Sequence, residues 1–209
     1  MRNHLKIYTI GMAFVIASPI SVQSATISLY GTELTIQSLY QQNADSELQE
    51  LSFASTATVG PGVEISNLAD LEIASNPFNL FIVPVSIDVG EDYIELDYSI
   101  GDSSGAFASG TFNGYKFTFD GSVPINILNA TVNPVSNIVG FDDSRLSFDG
   151  NSLFANVHSL SFSSSSQIRI DLTVPPPMPA APIPLPAALW MLVSGIAVLA
   201  SSRARTFLS

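Results

Sequence analysis

Two stretches of the chain alternate strictly between apolar and polar residues. In residues 91–100 the apolar positions are Ile94, Leu96, Tyr98 and Ile100. In residues 167–174 they are Ile168, Ile170, Leu172 and Val174. Because successive side chains of an extended strand point to opposite faces, a period of two indicates a strand with one face in a core. The pattern therefore predicts two half-buried strands.

Shorter apolar stretches between turn-forming residues give further strand candidates. They are residues 27–40, 48–59, 69–74, 79–89, 106–119, 123–132, 145–148 and 152–163. Pairs such as Asp120-Gly121 and Asp149-Gly150 separate them, and these residue types favour tight turns. Because strands follow one another without a convincing amphipathic helix, we predict an all-β domain over residues 25–174, a sandwich of jelly-roll-like type.

The first 24 residues have the order of a secretory signal peptide. Arg2 and Lys6 precede an apolar run over residues 7–17, and small residues follow Pro19. This order of charged, apolar and small residues predicts export, with cleavage after Ser24 or one residue later. A core helix and an uncleaved anchor are the alternatives, and eleven apolar residues are too few to span a membrane easily.

Residues 175–186 form a proline-rich spacer, and residues 187–209 an apolar segment with a basic tail. Seven prolines between Pro175 and Pro186 exclude a helix or a central strand. The following run, AALWMLVSGIAVLA, precedes Arg203 and Arg205. From Pro184 to Ser202 a helix would measure about 28 Å at 1.5 Å per residue, enough for a thin bilayer. We predict a transmembrane helix whose arginines stop it on the cytoplasmic side.

The order of these C-terminal features resembles a known sorting signal. The motif residues are Ile183, Pro184, Leu185, Pro186 and Ala187. With the apolar run and the two arginines they resemble the Val-Pro-Leu-Pro-Ala variant of the PEP-CTERM signal, although Ile183 replaces the usual valine. The resemblance implies processing by a membrane protease of the exosortase type and association with exopolysaccharide. It covers about 27 residues and implies nothing about the activity of the domain.

The central part also resembles a recurring ectodomain of PEP-CTERM proteins. The stretches that carry this resemblance are residues 59–64, 88–96, 112–117 and 140–148. That ectodomain has no assigned activity, so the resemblance implies only fold and location: an inner-membrane-anchored precursor, then the cell surface or the extracellular space.

Charge and cysteine content exclude several classes of function. The central part holds all 18 acidic residues of the chain but only Lys116, Arg145 and Arg169 as basic residues, a net charge of −15. Nucleic acid binding requires clustered cations and is excluded. The chain has no cysteine, so disulfides, thiolate metal sites and thiol catalysis are excluded as well.

Two catalytic patterns deserve comparison with simpler interpretations. Residues 101–105 fit the Gly-x-Ser-x-Gly motif of hydrolases, with Ser103 as the nucleophile and His158 as the one histidine outside the signal peptide. That motif needs a strand-to-helix turn, whereas residues 106–119 predict another strand. Paired carboxylates for glycoside hydrolysis would arise by chance among so many acids. We therefore predict no enzyme.

Two binding patterns remain. Asp142 and Asp143, or alternatively Asp88, Glu91 and Asp92, offer loop oxygens for a structural calcium ion, without the regular spacing of a calcium loop. Sugar binding recruits aromatic rings, and the candidate platforms are Tyr30, Tyr40, Tyr93 and Tyr115. Simple acidic turns and cross-strand packing explain the same residues.

The function predicted from the sequence is that of an exported surface or matrix-associated structural protein. A carbohydrate-binding module is the alternative, and a secreted hydrolase is disfavoured. The predicted partners are a membrane, the processing protease and exopolysaccharide. No cofactor is predicted, apart from the calcium ion considered for Asp142 and Asp143.

Overall fold

A computed structural model describes residues 28–74, 77–102, 104–121 and 125–174. Within these residues the strands are β1 (Glu33–Gln41), β2 (Gln49–Glu50), β3 (Ser55–Thr58), β4 (Val63–Ile65), β5 (Ser86–Val89), β6 (Tyr93–Asp97), β7 (Gly105–Ala106), β8 (Phe112–Asp120), β9 (Asn129–Val132), β10 (Leu146–Asp149), β11 (Ser152–Asn156), β12 (Ser161–Phe162) and β13 (Gln167–Thr173). Two short 3-10 turns, Leu68–Asp70 and Asp143–Arg145, are the helical elements of this part of the chain. The all-β prediction is confirmed.

The strands form two larger antiparallel sheets and one short pair. The six-stranded sheet has the order β10-β11-β8-β1-β2, and β3 also pairs with β1. The five-stranded sheet has the order β4-β5-β6-β13-β9, and β7 pairs with β12. The longest pairing joins β1 to β8 over nine residues, from Glu33 opposite Asp120 to Gln41 opposite Phe112.

Both sheets contribute side chains to a single hydrophobic core. The alternation predicted for β6 and β13 is confirmed, since Ile94, Leu96, Ile168 and Ile170 are fully buried. Ile36, Phe117 and Leu153 come from three adjacent strands of the other sheet and belong to the same cluster. Ile100 was predicted to face the core, but it lies beyond the end of β6 and is 46% exposed.

A pair of tyrosines links the two sheets inside this core. Tyr98 directly follows β6, and Tyr115 lies on β8. Their hydroxyl oxygens are 3.2 Å apart, within hydrogen-bond distance. Phe107 and Phe162 pack around Tyr98. Because a buried hydroxyl without a partner is costly, each tyrosine satisfies the polar group of the other.

Several predicted strands are shorter than the sequence suggests. Residues 69–74 were predicted as a strand, but they include a 3-10 turn and an isolated bridge at Ile73. Residues 79–85 lie outside any strand, so the predicted strand 79–89 is reduced to β5. Asn79 has a positive φ and Pro84 has no N–H to donate, and both features oppose regular pairing.

The predicted strand 152–163 is interrupted by a turn. Leu160 N–H donates to the carbonyl of Val157 at 3.1 Å, and Ser159 has a φ of 61°. The turn changes the direction of the chain, so Leu160 is buried while His158 is only half-buried. The part of the predicted strand that follows Asn156 is therefore wrong, apart from the two residues of β12.

Strand β4, at the edge of the five-stranded sheet, was not predicted as a strand. Its register with β5 shifts between Val63 and Ile65, as in a β-bulge. Glu64 lies at the shift, and its carboxylate accepts hydrogen bonds from the backbone N–H of Gly60 at 2.9 Å and of Val89 at 2.7 Å. The Glu64 carboxylate therefore supplies hydrogen-bond acceptors for two backbone N–H groups where the pairing of β4 with β5 is irregular.

The first and last parts of the described chain lie at the same end of the five-stranded sheet. Leu29 N–H donates to the carbonyl of Glu91 at 2.8 Å, and Leu172 N–H donates to the carbonyl of Asp92 at 2.7 Å. Both acceptors belong to the turn between β5 and β6. We call this end of the domain the terminal pole.

The segments predicted as signal peptide (1–24), proline-rich spacer (175–186) and transmembrane helix with basic tail (187–209) lie outside the described residues. Within the described ranges, no helix is long and apolar enough to cross a membrane.

The tyrosine pair gives a prediction for stability. Tyr115→Phe leaves the buried hydroxyl of Tyr98 without its partner, so the free energy of unfolding should fall by roughly 1 to 3 kcal/mol. Urea titration followed by circular dichroism measures the change. Tyr30→Phe, at an exposed tyrosine, is the control and should have little effect. Equal effects of the two substitutions would contradict the role assigned to the pair.

The same pair predicts a loss of stability in alkali. Burial, the largest cause, raises the pKa of both Tyr98 and Tyr115 above the ordinary value of 10.0. Above pH 10 the unfolded chain therefore releases protons that the folded chain retains, and stability falls as pH rises. The Tyr98→Phe/Tyr115→Phe variant should show a shallower fall between pH 9 and 11 in unfolding titrations. Parallel curves for the two proteins would contradict this expectation.

Candidate functional site

The predicted calcium ligands Asp142 and Asp143 border an open cleft. The cleft has a volume of about 450 Å³. Its lining residues are Val132, Asn133, Pro134, Ser136, Phe141, Asp142, Asp143 and Ser144. The structure therefore brings the two predicted residues to one place, beside an apolar wall formed partly by Pro134 and Phe141.

Asp142 caps the 3-10 turn that forms one side of the cleft. Its Oδ1 accepts hydrogen bonds from the Ser144 hydroxyl at 2.6 Å and from the Ser144 N–H at 3.0 Å. An Asp at this position satisfies a free N–H at the start of a turn. The hydrogen bond from the Ser144 hydroxyl, and to a lesser extent the one from the Ser144 N–H, lowers the pKa of the Asp142 carboxyl below its ordinary value.

Asp143 connects the same turn to the edge of the five-stranded sheet. Its Oδ1 accepts a 2.7 Å hydrogen bond from the backbone N–H of Val132, the last residue of β9. β9 is the edge strand of its sheet and pairs only with β13 there. The Asp143 carboxylate therefore accepts a hydrogen bond from an N–H at the sheet edge. Both acidic residues thus have structural partners that need no metal ion.

The described residues contain no group of three or more His, Cys, Asp or Glu side chains arranged to hold a metal ion. Of the alternative ligands, Asp88 accepts a hydrogen bond from the Tyr93 hydroxyl at 3.1 Å. Glu91 and Asp92 lie in the turn at the terminal pole and are exposed. The contacts around Asp142, Asp143 and Asp88 explain these acids as turn and strand partners without a bound ion.

Of the two residues considered for hydrolase catalysis, Ser103 and His158, the structure describes His158. Ser103 lies outside the described residues, and the chain after it continues into strand β7. The sequence predicted a strand after Ser103, whereas the hydrolase motif requires a helix at that point. His158 lies in the turn after β11, where burial, with a smaller contribution from Arg145, lowers the pKa of its imidazole. Arg145 also donates to the His158 carbonyl at 2.9 Å.

Two of the four tyrosines predicted as sugar platforms are in the wrong place for that role. Tyr40 is 6% and Tyr115 is 3% exposed, because both side chains extend from strands into apolar surroundings. Tyr93 is half-buried, and the Arg169 guanidinium lies 3.7 Å from the centre of its ring. Tyr30 is exposed. Tyr40 and Tyr115 are therefore wrong as candidate platforms, whereas Tyr30 and Tyr93 stay candidates.

The Arg169 side chain organises a polar network that sequence reasoning missed. It lies 3.7 Å from a carboxylate oxygen of Glu95 and 3.4 Å from one of Asp171. The register places Arg169 opposite Glu95, and Tyr93 opposite Asp171. The alternating polar residues of β6 and β13 indicated a polar outer face of the sheet. The residues that contact each other on that face follow only from the register between the two strands. The network connects β6 and β13 on the outer face of the sheet.

The sorting-motif residues Ile183 to Ala187, and the predicted stop residues Arg203 and Arg205, lie outside the described residues. Comparison of the chain with models of protein families, with curated proteins and with solved structures finds no match.

The contacts of Asp142 and Asp143 predict that calcium does not stabilise the domain. If an ion bound only the folded state, it would raise the melting temperature by mass action. We expect equal melting temperatures in millimolar calcium and in chelator. A rise in calcium that is lost in Asp142→Asn and retained in Asp149→Asn, a change at an exposed acid elsewhere, would overturn this expectation.

Proposed function

We propose that the chain is an exported surface or extracellular-matrix-associated structural protein. In this proposal the N-terminal segment directs export, residues 25–174 form the extracellular domain, and the C-terminal segment anchors the precursor. A membrane protease of the exosortase type then processes it near Ile183 to Ala187. The domain is then a stable module at the cell surface or in the matrix, and the N- and C-terminal signals determine that location.

The position of both ends of the described domain at the terminal pole is the observation that supports this proposal best. Leu29 and Leu172 bond to adjacent residues, Glu91 and Asp92. A precursor held in one bilayer through segments on both sides of its domain is accommodated most simply when the chain enters and leaves the domain on the same side. The hydrogen bonds of Leu29 and Leu172 meet this condition without any opening of the sheets.

The finer architecture that we propose is a β sandwich of jelly-roll-like type. Buried side chains of the six- and five-stranded sheets belong to one cluster, which supports two sheets packed face to face. Strands that are adjacent in a sheet are distant in sequence, as with β1 beside β8 and β6 beside β13. Such pairings are typical of sandwiches in which the chain crosses repeatedly between sheets.

The absence of cysteine determines how a displayed domain of this kind must stay folded. Its stability depends on the apolar core and on satisfied buried groups such as the tyrosine pair. Among the described residues, every buried side-chain nitrogen and oxygen has a hydrogen-bond partner. Carbohydrate binding is not part of the proposal, because Tyr40 and Tyr115 are buried, Arg169 lies over the Tyr93 ring, and a single exposed ring, Tyr30, then remains of the four candidates.

Cell fractionation with immunoblotting tests the proposal. A charge at the centre of a membrane span costs roughly 3 kcal/mol, so Val193→Asp should move the precursor out of the membrane fraction. Substituting Pro184 and Pro186 should accumulate an unprocessed, membrane-held form. Asp149→Asn, which alters only the exposed surface of the domain, is the control. A chain truncated after Val174 that stays as membrane-bound as the full chain would refute the anchoring scheme.

A further inference from the structure

Strand β9 contains an acceptor motif for N-linked glycosylation. Asn129, Ala130 and Thr131 form an Asn-x-Thr triplet whose middle residue is not proline. Asn129 is the only asparagine of the chain that has Ser or Thr two residues later. Triplets of this type accept sugars at the surface of exported proteins. Whether this one can do so therefore depends on where the fold places its side chains.

The alternation of β9 places Asn129 and Thr131 on the outer face of the five-stranded sheet. Ala130 lies between them and is 6% exposed, and its register partner Leu172 is also buried. Because successive side chains of a strand point to opposite faces, Asn129 and Thr131 point away from the core, about 6.6 Å apart along the strand. Asn129 is exposed and Thr131 is half-buried. Both residues that the motif requires are therefore accessible from the same side.

The side-chain amide of Asn129 is available for reaction. It has no hydrogen-bond partner among the described residues. Most asparagines of this part of the chain instead use the amide nitrogen as a donor: Asn67, Asn113, Asn133, Asn137, Asn151 and Asn156. A sugar on one of those nitrogens would disturb a hydrogen bond of the fold, whereas a sugar on Asn129 would disturb none.

We propose that Asn129 is N-glycosylated during export. The inference rests on the proposed function, because this modification requires an exported chain. The donor is an oligosaccharide carried on a lipid diphosphate, and the catalyst is an oligosaccharyltransferase. A bond forms between Nδ2 of Asn129 and the anomeric carbon of the first sugar, while the bond from that carbon to the diphosphate oxygen breaks. The lipid diphosphate leaves with the bonding electrons, and the Nδ2 proton passes to a base of the transferase.

A glycan at this position would cover an exposed edge of the domain. β9 is the last strand of the five-stranded sheet and pairs only with β13 there. Leu128, next to Asn129, is 52% exposed. Unpaired strand edges and exposed apolar side chains promote association between chains. A bulky, hydrated oligosaccharide beside Leu128 would therefore keep neighbouring copies of a displayed domain apart.

Mass spectrometry of the mature chain, isolated from cells that export it, tests the proposal. Trypsin cleaves after Lys116 and Arg145, so residues 117–145 form one peptide that contains the triplet. We expect this peptide to carry the mass of an oligosaccharide at Asn129 and to release sugar fragment ions. An exported chain with a cleaved N terminus and an unmodified Asn129 would overturn the inference and leave the proposed function standing. A chain that stays in the cytoplasm with its first 24 residues in place would refute both.

Substitutions in the triplet locate the modification. Asn129→Gln and Thr131→Ala should each abolish the mass shift, whereas Thr131→Ser keeps a hydroxyl and should preserve it. Asn126→Gln, at an exposed asparagine outside the triplet, is the control and should preserve the shift as well. Circular dichroism confirms that each variant is folded. A mass shift that persists in Thr131→Ala, or that is lost in Asn126→Gln, would overturn the proposal.

A second acceptor triplet separates the activity of the transferase from the accessibility of β9. Asp45→Thr creates the same Asn-Ala-Thr sequence at Asn43, in an exposed turn. We expect this variant to carry a glycan at both Asn43 and Asn129. A glycan at Asn43 alone would show that the strand position is not accepted, and would overturn the proposal. The absence of a glycan from both sites would overturn it too.

Light scattering during heating tests the shielding of the edge. Asn129→Gln lacks the glycan and should aggregate more than Asn126→Gln, which retains it. Leu128→Ser added to Asn129→Gln should remove this increase, because the exposed apolar side chain next to the glycan site is then lost. Equal aggregation of Asn129→Gln and Asn126→Gln would overturn the shielding role.

Discussion

The burial of two sheets against one core is the constraint on which the rest of this structure depends. Without disulfides, the sheets are held together by apolar side chains and by the Tyr98–Tyr115 pair. The pair is a polar interaction that crosses the core, so it restricts how the sheets align as well as adding stability. Apolar contacts tolerate small shifts between sheets, whereas two buried hydroxyls remain satisfied only in a narrow range of positions.

The sequence predicted the elements that depend on local alternation. Strands β6 and β13 were recognisable because each second residue from Ile94 to Tyr98 and from Ile168 to Val174 is apolar and buried. Residues 79–85 were misleading, since apolar composition alone does not provide pairing partners. β4 was missed because three residues with a register shift give no periodic signal. Strand order depends on contacts between distant residues, such as β1 with β8, which one sequence does not reveal.

The candidate site was predictable in its residue types but not in its contacts. Asp142 and Asp143 were identified as neighbouring acids in a loop, and the structure places both at one cleft. The hydrogen bond between Asp143 and Val132 could not be inferred, because Val132 lies eleven residues earlier on another element. Tyr40 and Tyr115 were wrong candidates for a similar reason: whether either residue faces solvent depends on the face of the sheet, and β1 and β8 direct both rings inward.

The proximity of Leu29 and Leu172 to one turn has a consequence for engineering the domain. The two ends could be joined by a short flexible linker and the chain reopened elsewhere without changing any sheet pairing. The turn between β10 and β11 is a suitable place, because Gly150 has a positive φ and a side chain added there would meet open space. A circular permutant of this design would move the chain ends from the turn between β5 and β6 to the β10 edge of the six-stranded sheet, and the domain could then be inserted there into a loop of a host protein.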